Sequence, residues 1–198
     1  MVTAQTPKLI VGLGNPGREH AKDRHNVGYW LLDDVAAGSG EVFRTDAKLL
    51  GDTCQALIGA TPVRLLKPTT YMNLSGGAVR RAIDYYKLDI EQVLVIQDEI
   101  DLPAGVARLK IGGGHGGHNG LRDIIQQCGR EFMRLRIGVG HPGTKERVTG
   151  HVLKAPGKDE LVLIHSAMDE GRRALETLLK DGWDRAITAL HTATPRSD

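Results

Sequence analysis

Short runs of consecutive apolar residues, each followed by a segment of helical spacing, constrain this chain more than any other feature. Lys8–Leu13 (KLIVGL), Val63–Leu66 (VRLL) and Val93–Ile96 (VLVI) read as buried strands. Val106–Ile111 and Leu135–Val139 read as further strands, and residues 42–59 as a hairpin. Helices are predicted at about 24–37, 75–87, 119–128, 158–180 and 183–190; in the fourth, Leu161, Ile164, Met168, Leu175 and Leu178 recur on one face. This alternation predicts an α/β fold: a three-layer α/β/α sandwich around a twisted, mostly parallel mixed sheet. The 198 residues suit a single domain, and no repeat or linker divides them. The polar ends, 1–7 and 192–198, are expected to be flexible.

In folds of this kind, sites form beyond the carboxyl ends of the strands. The first strand runs into Asn15-Pro16-Gly17, the strand at 63–66 into Lys67–Asn73, and the strand at 93–96 into Gln97-Asp98-Glu99. All three exits carry polar residues, so one crevice can collect them. Asn15 offers a donor and an acceptor there. His20 lies within the first loop, and His25 at the start of a helix for which Asp23 is a plausible N-cap. A carboxylate such as Asp98, bonded to one ring nitrogen of His25, would fix the tautomer and leave the other nitrogen to take a proton from water. Taken singly, His25 is one of eight histidines and Asp98 an acid in a turn-like stretch.

Gly12-Leu13-Gly14-Asn15-Pro16-Gly17 also fits GxGxxG after a strand, the mark of a nicotinamide-dependent oxidoreductase with Asp33 or Asp34 as the ribose acid. A true fingerprint starts its helix inside the motif, at the pyrophosphate. Here Asn-Pro-Gly is turn chemistry, and the helix starts only near Arg24. The glycine-rich stretch 112–120 admits three readings: an anion nest or mobile gate, a close-packed turn, or a metal site at His115 and His118.

The net charge of +2 permits a nucleic-acid partner without demonstrating one, and with 4% aromatic residues base stacking is not the main theme. No apolar run reaches the roughly 18 residues of a membrane span, and MVTAQTPK lacks a signal-peptide pattern, so the cytoplasm is expected. Cys54 and Cys128 read as buried free thiols. With no GxSxG and neither cysteine on a strand-to-helix elbow, an acyl-enzyme is disfavoured.

Seven stretches, in order, resemble the peptidyl-tRNA hydrolase family: LIVGLGNPG (9–17), RHNVGYW (24–30), LLKPTTYMNLSG (65–76), QDEIDLPAG (97–105), GGGHGGHNGLRDI (112–124), RLRIGVGHPG (134–143) and VTGHVL (148–153). The resemblance implies hydrolysis of the ester between a peptide and the terminal ribose of tRNA, by a monomer without cofactor or metal and without DNA or membrane partners. It assigns His25 as general base, Asp98 as the acid that orients it, and Asn15 to the selection of acylated amino ends. It further implies that Asn73 and Asn119 hold the peptide backbone and the water. Tyr71 and Met72 would wall the crevice, with His118 counted among the substrate-binding residues. Lys110 and Arg136 would clamp the terminal phosphate of tRNA, and 141–153 would form a lid. Three positions depart from the family pattern: His20 stands for a tRNA-contacting tyrosine, Gln97 for a histidine, and His151 for an aromatic residue of the lid. The other classes left open are the oxidoreductase and a non-catalytic tRNA-binding protein.

Overall fold

The computed structural model describes residues 5–193. The chain runs through β1 (Leu9–Gly12), α1 (Val27–Gly38), the strands β2 (Arg44–Asp46), β3 (Gly51–Ile58) and β4 (Thr61–Pro68), and α2 (Ser75–Tyr86). It continues through β5 (Val93–Glu99), β6 (Ala107–Ile111), α3 (Asn119–Cys128), β7 (Met133–Gly138), α4 (Val148–Val152), α5 (Lys158–Asp181) and α6 (Trp183–Ala193).

One seven-stranded sheet has the order β2-β3-β4-β1-β5-β7-β6. The four central strands, β4, β1, β5 and β7, are parallel; the antiparallel pairings lie at the two edges. For β3 and β4 the link explains the difference. Between Ile58 and Thr61 only Gly59 and Ala60 intervene, which forces an antiparallel return, whereas β4 reaches β5 through α2 and can cross over. Side chains alternate across β1 and β5. Ile10, Leu94 and Ile96 join the core under α1, α5 and α6, while Leu9, Val11, Val93 and Val95 join the core under α2 and α3. This is the three-layer sandwich expected. The chain leaves β1 toward β4 on one side and later returns to pair β5 on the other, so a crevice opens at the carboxyl end of β1.

Several local expectations change. The helix expected from residue 24 begins as a 3-10 turn at Arg24–Asn26, and α1 proper starts at Val27. Asp23 precedes it in extended backbone but does not cap it; its carboxylate lies 2.8 Å from His20 Nδ1 instead. The strand read at 93–96 extends to Glu99 because β7 keeps pairing with it through Gly138. Asp98 therefore sits inside β5, opposite Ile137, rather than in a turn. The segment read as a lid loop contains α4. Cys54 and Cys128 are half-buried rather than buried, and both are free thiols. Of the ends expected to be flexible, 1–4 and 194–198 lie outside the described residues; Pro7 is buried, and Thr192 and Ala193 continue α6.

The first loop owes its glycines to packing. A Cβ on Gly12 would run into the backbone of Gly28, one on Gly14 would come within 2.7 Å of the Tyr29 ring, and one on Gly28 would meet Leu13 N and Ile96 O. Side-chain-free positions on both partners let the first turn of α1 rest on the ends of β1 and β5. The spacing that imitates a dinucleotide fingerprint therefore serves a helix-to-sheet contact.

Candidate active site

A cavity of about 960 Å³ opens at the carboxyl ends of β1, β4 and β5. The first loop brings Asn15, His20 and His25 to it; the turn after β4 brings Tyr71, Met72 and Asn73. β5 contributes Asp98, and the start of α3 contributes His118 and Asn119. Nine of the eleven predicted site residues thus line one space. Lys110 and Arg136 do not. They sit on β6 and β7, where Lys110 pairs with Arg134 and Arg136 with Arg108, so the two are diagonal neighbours on one sheet face. Lys110 is exposed, and Arg136 makes an ion pair of 3.6 Å with Glu99.

At the centre, His25 Nδ1 is 2.9 Å from both carboxylate oxygens of Asp98. On the other side of the carboxylate, His118 Nε2 is 3.0 Å from Asp98 Oδ1. The backbone fixes the second tautomer: His118 is the N-cap of α3, and its Nδ1 accepts a hydrogen bond from Leu121 N at 3.3 Å. Its Nε2 must then carry the proton and donate to Asp98. An ionised Asp98 can only accept, so His25 Nδ1 also donates, and His25 Nε2 is left as the bare lone pair. Among the described residues it has no hydrogen-bond partner.

Burial works against the charged form of His25, but the charge and hydrogen bond of Asp98, helped by Asp23, outweigh it and hold its pKa above the ordinary value. Burial alone would push the Asp98 carboxyl up; the charges and hydrogen bonds of His25 and His118 overcome this and hold it well below the usual carboxylate range. The two directions express one coupled pair, in which the ionised acid favours a proton on the base.

Asn15 is oriented from three sides. Its backbone N–H donates to Asn26 Oδ1 and its C=O accepts from Asn26 Nδ2, each at 2.9 Å. Its own Oδ1 accepts from Met72 N at 2.7 Å. The acceptor end is used, so Nδ2 is the end free to donate. Met72 is buried and forms a floor, while Tyr71, Asn73 and Asn119 are exposed at the mouth. Asn26 had no signal of its own in the sequence beyond its place beside His25.

The glycine-rich stretch 112–120 is first a matter of backbone. Gly112, Gly113, Gly116 and Gly117 have positive φ, and Gly120 lets α3 approach Met72, since a Cβ there would come within 2.6 Å of its sulfur. Arg134 donates to the carbonyls of Gly114 and Gly113 at 2.7 and 2.8 Å and shapes the loop from below. His25, Asp98 and His118 bring donor atoms within 4.8 Å of one another, the only group of that kind among the described residues. A cation there would have to replace both N–H protons that the carboxylate now accepts. The proposed partner His115 is engaged elsewhere, its Nδ1 accepting from Gly117 N.

The family model for peptidyl-tRNA hydrolase matches residues 9–197. A peptidyl-tRNA hydrolase of Shewanella sp. (strain ANA-3) is 50% identical over 188 residues, covering 93% of this chain and 96% of that protein. One from Vibrio cholerae (strain M66-2) is 48% identical, covering 96% and 97%. The chain belongs to the peptidyl-tRNA hydrolase family. The crystal structure of peptidyl-tRNA hydrolase from Acinetobacter baumannii superposes with a TM-score of 0.92 at 43% identity, over 99% of this chain and all of that one. Membership in this family removes the oxidoreductase reading of the first loop.

Two histidines singled out in the sequence make defined contacts. His151 reaches back from α4, with Nε2 3.0 Å from Val139 O. His20 lines the cavity and pairs with Asp23, whose neighbour Arg24 precedes His25. Gln97 is buried at the cavity, and its Oε1 has no partner. No helix among the described residues is long and apolar enough to cross a membrane.

Proposed function

We propose that this chain uses His25 as the general base with which it cleaves the ester between a peptide, or an N-blocked aminoacyl group, and the 3′-terminal ribose of tRNA. The observation that carries the base assignment is the bare Nε2 of His25, opposite an Nδ1–H locked by Asp98. Nε2 takes a proton from water, and the hydroxide attacks the ester carbonyl. Negative charge gathers on the carbonyl oxygen, where Asn15 Nδ2 and the amides of Asn73 and Asn119 are available to donate. The tetrahedral intermediate collapses with loss of the ribose oxygen, which takes the proton back from His25. The leaving group is an activated alcohol, so water suffices and no covalent enzyme intermediate is needed. Asp98 stays ionised and stabilises the imidazolium formed on the way.

The exposed side chains at the mouth suit a substrate whose bulk stays outside. Lys110 and Arg136 hold the terminal phosphate of the tRNA, beyond the cavity, so that position is fixed without reading bases. The enzyme acts as a cytoplasmic monomer.

The test is release of N-acetyl-aminoacyl groups from tRNA. His25→Ala is expected to lose roughly 10²–10⁴-fold in rate. Asp98→Ala, which leaves the base in place but removes its orientation and the charge that stabilises its imidazolium, should lose less. Near-parental turnover in His25→Ala would remove the base assignment.

A further inference from the structure

One wall of the cavity is α4, which presents Val148, Thr149 and Val152. A five-residue helix does not hold itself together in water, and its last carbonyls have no partner within the helix. Arg24 supplies those partners. Its Nη1 donates to His151 O at 3.0 Å and Lys154 O at 2.9 Å, and its backbone N–H donates to Lys154 O at 3.2 Å. Its Nε and Nη2 bond the two carboxylate oxygens of Glu160, each at 2.6 Å, in the first turn of α5. Four of the five guanidinium donors are used, in the fork geometry that lysine cannot copy. The charge is also well placed: a cation meets the C-terminal end of α4, and Glu160 meets the N-terminal end of α5. Arg24 is 7% exposed, does not line the cavity, and immediately precedes His25.

We propose that Arg24 is a positioning residue for the hydrolase reaction: it straps the α4 wall and the start of α5 to the turn that carries His25, so that closing the cavity and placing the base are one structural event. The role rests on the hydrolytic reading above. A second strap, His151 to Val139 O, holds the other side of α4 to the end of β7. The wall is thus tied to both the base turn and the sheet.

The experiment combines amide hydrogen exchange on the whole chain with steady-state cleavage of N-acetyl-aminoacyl-tRNA, in Arg24→Lys and Glu160→Gln. Glu160 is partly exposed, so its variant guards against a simple failure to fold. Loss of charge-assisted bonds should speed exchange across residues 148–154 by about tenfold or more, with β1 and β5 unchanged. Cleavage should fall about tenfold in kcat/KM in Arg24→Lys and less in Glu160→Gln, while the pH inflection of the reaction stays where it is in the parent. Exchange at 148–154 equal to the parent's overturns the strap. Faster exchange with unchanged kcat/KM overturns its part in the reaction, and a displaced inflection shows that Arg24 acts on His25 by charge instead. A parent chain that cleaves no blocked aminoacyl-tRNA overturns the hydrolytic reading, and the exchange arm still decides the strap.

Discussion

Asp98 holds two histidines at once, and each has only one tautomer that satisfies the carboxylate. The arrangement predicts a pH dependence with a definite sign. His25 must be neutral to act, and its pKa is held above the ordinary value, so kcat/KM should rise with pH through that raised value and fall away on the acid side. In Asp98→Asn the main influence raising the pKa is gone and burial remains, so the inflection should move to lower pH. The rate should also drop, by roughly 10²–10⁴-fold, for a tautomeric reason. The amide oxygen can still accept from His118 Nε2–H at the Oδ1 position, but the amide N–H then stands at the Oδ2 position against His25 Nδ1–H; relief moves the His25 proton to Nε2, which removes the lone pair that takes the proton from water. A pH–rate profile of the variant that kept the parent's inflection would contradict this account. His25 and Asp98 were legible in the sequence because strand exits collect polar side chains. Asn26 and the capping role of His118 were not, because they depend on which of many polar groups meet across a fold. Asn15 is a second residue-level test: Asn15→Ala removes a donor at the developing oxyanion, a loss of about 3–4 kcal/mol if it alone serves there, read as kcat rather than KM.

Elements set where those residues can stand. The first turn of α1 touches the ends of β1 and β5 through Gly12 and Gly28, backbone against backbone. In Gly28→Ala the new methyl meets Leu13 N and Ile96 O, which cannot swing aside as a flexible side chain can. The expected cost is about 1–3 kcal/mol of stability, read by urea unfolding, with a fall in kcat/KM because His25 lies three residues earlier. The long, periodic elements were readable: α3 and α5 lie within a residue of their expected ends because each repeats an apolar face over several turns. α4 was not, since five residues are too few for a period to appear and its stability comes from Arg24 and His151. The extra length of β5 escaped notice for a similar reason: Gln97, Asp98 and Glu99 are polar and look like a turn, yet β7 offers them a ladder.

For the molecule as a whole, alternation of strand and helix sufficed to predict three layers, but pairing order is written in contacts between distant segments. The antiparallel pair β6–β7, joined through the glycine-rich loop and α3, places Arg108, Lys110, Arg134 and Arg136 on the face away from the apolar core under α5 and α6. Arg134 is occupied with the glycine loop and Arg136 leans on Glu99, whereas Lys110 is exposed. Lys110→Ala should therefore weaken cleavage of tRNA substrates, with a salt dependence shallower by about one charge, and leave a minimal aminoacyl-nucleoside ester unaffected. Equal loss on both substrates would remove the phosphate role. The order of the strands also bears on the protein's own synthesis. β1 leaves the ribosome early, but its neighbours β4 and β5 follow about fifty and eighty residues later, and the strap needs Glu160. Until then the growing chain is itself a peptide esterified to tRNA; it carries His25 without Asp98 up to residue 97, and without a closed wall until Glu160 is added. An enzyme that cuts such esters is thus built so that its blade is assembled only after most of its own ester-bound chain has been made.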